Sequence, residues 1–149
     1  MGLVKYNNNS ISAVTSAASI PSGALTLIKT LTASSSATLS FVHGTDGVVL
    51  DSTYPIYKFE FINIHPENDN TDGFEFNVSI DGGSNYNVAK TTTFVKHFIA
   101  NINTYHSGDY SANSYIAGYG NTTSAINAIK FQMSSGNIDS GEILLFGVN

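Results

Sequence analysis

Between residues 25 and 148 the chain is written largely in a two-residue period, and that restricts it to strands. Phe74, Phe76, Val78 and Ile80 share one parity, while Glu75, Asn77 and Ser79 share the other. Successive side chains of an extended chain point to opposite faces, so such a pattern places one face in a core and one in water. Residues 56–64 repeat it with Tyr57, Phe59 and Phe61 against Lys58 and Glu60, and residues 125–133 with Ile129, Phe131 and Met133 against Lys130 and Gln132. Weaker alternation runs through 25–31 and 37–42, where Leu39 and Phe41 share a face. A short piece at 48–50, a β-branched and aromatic run at 92–100, a segment at 110–119 and an apolar strand at 142–148 complete the series. Asp81-Gly82-Gly83-Ser84-Asn85, the loop Tyr105 to Asp109, and Gly136-Asn137-Ile138-Asp139-Ser140-Gly141 read as the turns between strands. Residues 121–128 are the one stretch with room for a short helix. The expected fold is all-β: an antiparallel β-sandwich or jelly roll of about eight to ten strands.

The first 24 residues do not share this pattern. Residues 10–23 are Ser, Ala and Thr with isolated aliphatics, ended by Pro21-Ser22-Gly23. A plain linker has no use for spaced aliphatics, so residues 1–24 are expected to form an extended N-terminal arm beside a β-domain at 25–149. The arm's anchors on a partner would be Tyr6, Ile11, Val14 and Ile20.

Composition then narrows the function. Of 149 residues only 11% are charged, six Lys face eleven acids, and Cys and Trp are absent. Without Cys there is neither a disulfide framework nor a zinc–thiolate site. A net charge of −5 without clustered cations argues against a nucleic-acid footprint. No stretch approaches the roughly 20 apolar residues of a membrane-spanning helix. The opening residues through Ser10 contain no apolar segment of the kind a secretory signal requires. The N-x-Ser/Thr triplets at Asn8, Asn77 and Asn121 read as chance matches in an Asn- and Thr-rich chain.

Enzyme sites need ionisable groups with displaced pKa values, and here such groups are sparse. Residues 65–73 form the most polar segment, and Glu67, Asp69 and Asp72 are the weak candidate for a calcium loop. Their spacing departs from the EF-hand pattern, so a solvated connection is the plainer reading, and no metal or other cofactor is expected. His43, His65, His97 and His106 carry no nucleophile elbow with them. Glu60 and Glu75 fall on outward positions, unlike the facing acids of a glycosidase. No catalytic residue is assigned. Tyr105, Tyr110, Tyr115 and Tyr119 lie among Ser, Asn and Gly, a mixture suited to contact surfaces. Tyr115 and Tyr119 are read as core residues at the water boundary. Tyr105, His106 and Tyr110 are candidate surface contacts.

Five phrases carry a resemblance: Lys5-Tyr6-Asn7-Asn8-Asn9-Ser10-Ile11-Ser12, Phe61-Ile62-Asn63-Ile64-His65-Pro66, Asp81-Gly82-Gly83-Ser84-Asn85-Tyr86, Phe94-Val95-Lys96-His97-Phe98, and Ser134-Ser135-Gly136-Asn137-Ile138-Asp139-Ser140-Gly141. Together the chain resembles small virion structural proteins, of decoration or cement type, from tailed bacteriophages of marine and freshwater bacteria. Members of that group carry extra sequence where this chain passes almost directly from Tyr86 to Thr91, so a role residing in that loop is not expected here. The resemblance implies a non-enzymatic virion component, assembled in the bacterial host cytoplasm. It would bind the major capsid protein or another virion protein and form a homo-oligomer, a trimer being the natural guess for a capsid lattice. The alternative is a receptor- or glycan-binding module of a tail fibre, spike or capsid projection, motivated by the Tyr-rich segment.

Overall fold

The computed structural model describes residues 24–68, 73–99 and 111–149. Eight strands run through them: β1 (Leu25–Ser36), β2 (Leu39–Val42), β3 (Ile56–Pro66), β4 (Phe74–Ser79), β5 (Lys90–Ile99), β6 (Ser111–Gly120), β7 (Ala128–Met133) and β8 (Ile138–Val148). All pairing is antiparallel. One three-stranded sheet has the order β1-β8-β3, a second β2-β7-β4, and β5 pairs with β6 alone. The protein is therefore all-β, and among the described residues there is no helix; residues 121–127 are irregular.

The two three-stranded sheets contribute to one core. Ala33, Ile138, Ile143 and Leu145 come from the first, and Leu39, Phe41, Phe131 and Met133 from the second. Phe131 is the hub: its ring stacks on Phe74 at 5.7 Å and meets Phe41, Phe59 and Phe61 edge-on. Edge-to-face contact matches the positive ring edge of one aromatic to the negative face of another.

Three expectations about boundaries are corrected. Residues 48–50 form no strand, because Gly44, Asp46 and Gly47 all take positive φ and reverse the chain within 42–48. Val48 instead enters the core as a buried plug, and His43 Nδ1 accepts the Leu50 N–H at 3.2 Å. β1 runs on to Ser36 because its second half pairs with β8 down to Ser36–Ile138. The turn expected at 136–141 is shorter, since Ile138 is fully buried and already belongs to β8.

β3 explains why its alternation changes phase after Phe61. Ile62 pairs with Glu142 and His65 with Ser140, so β3 carries one extra residue there. The bulge sits at Asn63 (φ 48°), and the chain opposite closes on it: a Cβ on Gly141 (φ 120°) would lie 2.5 Å from the Asn63 carbonyl oxygen. A bulge shifts every later side chain to the other face, so Ile64 joins the core after Phe59.

Candidate functional site

The polar clusters resolve into turns. Asp81 is the most elaborate. Its Oδ1 accepts from Ser79 Oγ (2.6 Å) and from the Asn85 N–H (2.9 Å), and its Oδ2 accepts from Asn85 Nδ2 (2.7 Å). These donors favour the ionised carboxylate and hold its pKa down to about 2, the Ser79 hydroxyl contributing most and Asn85 next. Asn127 ties the same turn to β7: its Oδ1 accepts the Gly82 N–H and its Nδ2 donates to the Ile80 carbonyl. The Ser79, Asp81 and Asn85 side chains are bonded to one another within the turn, which makes it a brace.

Of the candidate calcium loop, Glu67 lies within the described residues, and Asp69 and Asp72 lie outside them. Glu67 spends its carboxylate on the Asn137 N–H (3.1 Å) while its own N–H donates to the Asn137 carbonyl. Among the described residues no three His, Cys, Asp or Glu side chains gather as a metal site. The arm anchors Tyr6, Ile11, Val14 and Ile20, and the contact candidates Tyr105, His106 and Tyr110, all lie outside the described residues. Tyr119 corrects an expectation. It is 66% exposed on the β5–β6 ribbon, because that ribbon pairs with neither core sheet.

What the structure does bring together is apolar surface. β8 lies centrally in its sheet and is apolar on both parities. Ile143 and Leu145 are fully buried in the core, so Leu144, Phe146 and Val148 face the other way. Residues directly opposite on antiparallel strands share a face. The register therefore builds an outer surface from the rows Leu25–Val148–Ile56, Leu27–Phe146–Lys58 and Thr30–Leu144–Glu60. Leu25, Leu27 and Ile56 are 44%, 53% and 60% exposed. Lys58 and Glu60 pair with each other at 2.6 Å on one margin, and Glu142, which accepts from the Thr32 hydroxyl at 3.4 Å, closes the face at its other end.

A second apolar feature is a cleft of about 340 Å³ between β4 and the β5–β6 ribbon. Phe76 and Val78 line one side, Ile116 and Gly118 the other, with Tyr119 and Ile126 at its margin. Lys90 spans the two: its ammonium sits 4.6 Å from the Phe76 ring centre and donates to the Phe76 carbonyl and to Asn77 Oδ1.

Neither surface was singled out from sequence. The run Ile143-Leu144-Leu145-Phe146 signals a strand apolar on both sides, as in sheets covered twice. Which side lacks its cover is visible only once the sheet order is known. No family model, no curated protein and no solved structure matches this chain.

Proposed function

We propose that the protein is a non-enzymatic structural component of a tailed bacteriophage virion, a decoration or cement protein that binds the major capsid lattice and stabilises the head. The observation that carries this is the outer face of the β1-β8-β3 sheet. A sheet apolar on both faces has a second surface to cover, and exposed apolar patches mark sites of association. The strand orders support a jelly-roll sandwich as the architecture. An eight-stranded jelly roll reads 1-8-3-6 and 2-7-4-5, and six of those eight places are filled here in that order. Jelly rolls serve as both capsid and lectin domains, so the fold is compatible with this role without assigning it. Repetition on a shell would multiply a modest contact into a firm one.

Heads lacking the protein, incubated with purified protein, provide the test. Wild-type protein restores resistance to heat and osmotic shock and decorates the shell in electron micrographs. Leu27→Glu and removal of residues 1–24 each lower occupancy at least tenfold. Full occupancy by both variants removes the decoration reading.

One observation favours the glycan-binding alternative: Tyr119 and Phe76 border the cleft, and apolar sugar faces stack on aromatic rings. Host adsorption unchanged by Tyr119→Ala, together with a blank glycan array, excludes it.

A further inference from the structure

We infer that the cleft between β4 and the β5–β6 ribbon binds a small amphiphilic carboxylate, its charged end on Lys90 and its apolar body among Phe76, Val78 and Ile116. The inference is independent of the virion role, and its ligand differs in chemistry from a neutral glycan.

The cleft exists because the ribbon stands off the sheet. β4 is an edge strand, and among the described residues no strand pairs with its free side. Phe76 and Val78 therefore keep apolar surface at the sheet margin, with Ile116 of β6 across from them. Gly118 and Gly120 also line the gap and carry no side chain to fill it. Its volume of about 340 Å³ falls within the range of small-molecule sites. At the roughly 30 Å³ that a water molecule takes in the liquid, it holds about ten non-hydrogen atoms.

Polarity selects the ligand. Besides the Tyr119 hydroxyl at its margin, the side chains of the lining offer one cation, Lys90, and one hydroxyl, Thr92. Such a lining satisfies one polar end and leaves the hydroxyls of an inserted sugar ring short of partners. Lys90 sets the sign of that end. Of its three donors, two go to the Phe76 carbonyl and Asn77 Oδ1, and the Phe76 ring lies 4.6 Å away. These partners are all uncharged. Among the described residues Lys58–Glu60 is the one ion pair, so no carboxylate there lies within 4 Å of the Lys90 ammonium. One donor and a full charge remain, which suits a monoanion; a phosphate dianion calls for a second cation, and the lining holds none.

The same contacts turn away an added strand. Gly73 and Ser79 direct their carbonyls to the β7 side, so Phe74, Phe76 and Val78, on the alternate pairs, direct theirs to the open edge. Lys90 occupies the middle one, and a lysine on an edge keeps other chains from pairing with it.

Nuclear magnetic resonance of the full-length, nitrogen-labelled protein tests the site. The probe is octanoate, which has about ten non-hydrogen atoms, titrated to about 10 mM, enough to saturate a site of millimolar Kd. Saturable shifts are expected at the amides of Val78, Thr92, Gly118 and Gly120. Octanamide, the neutral analogue of equal length, should bind at least tenfold more weakly. Lys90→Gln should weaken octanoate at least tenfold and change octanamide less than twofold; should that variant displace the ribbon, the two probes on wild type still decide. Equal affinity of wild type for octanoate and octanamide overturns the inference. So does the lack of any saturable shift, the result if the chain itself or a second copy covers the cleft. Shifts centred on Leu27 and Gly147 instead place the probe on the outer face of the β1-β8-β3 sheet and also overturn it.

Discussion

Asp81 shows how one side chain fixes a connection. Its carboxyl titrates at about 2 in the fold against 3.8 ordinarily, so the folded state binds this proton more weakly than the unfolded chain. The stabilisation is complete above about pH 4 and is lost as pH falls through about 2. The thermal midpoint of wild type should therefore drop more steeply between pH 4 and pH 2 than that of Asp81→Asn, with the two converging near pH 2. Parallel curves across that window would contradict the account. Phe131 is the corresponding residue of the core. It is buried against five phenylalanine rings, and Phe131→Ala should cost about 3–5 kcal/mol in denaturant unfolding. Gly141→Ala should cost at least about 1 kcal/mol, because φ of 120° strains any Cβ and Asn63 occupies the space it would need.

Strand β8 is the element on which stability and association separate. Its inward residues hold the core, and Leu145→Ala should destabilise by about 2–5 kcal/mol. Across the ladder on the outward side, Leu27→Ser should change unfolding free energy by no more than about 0.5 kcal/mol and act on head occupancy instead. Equilibrium unfolding of both variants beside head occupancy checks the division; a large stability loss from Leu27→Ser would mean the face is already packed. The bulges set this division of faces. β1 shifts register between Leu27 and Lys29, and β3 between Ile62 and His65, so each strand presents a different parity to the core at its two ends. A regular two-residue reading of the whole of either strand would invert one half of it.

At the scale of the molecule, the turn at 81–85, most strand centres and the inward positions of Leu39, Phe41 and Phe131 were legible in the sequence. Alternation is a local consequence of extended backbone, and turns follow from residues that tolerate positive φ, as at Gly82 and Gly83. Removing residues 1–24 should leave the cooperative unfolding of 25–149 intact, since among the described residues the core is built from β1 onward; loss of a cooperative transition by circular dichroism would show otherwise. The exposed ribbon position of Tyr119, the short 134–137 turn and the burial of Val48 were not legible, because each depends on which strand lies alongside. By itself the sequence determined an all-β chain with few ionisable groups, since both follow from residue type and two-residue spacing. The tertiary structure alone decided that β8 lies between β1 and β3 and turns Phe146 outward, because strand order and bulge register join residues from 72 to 123 positions apart.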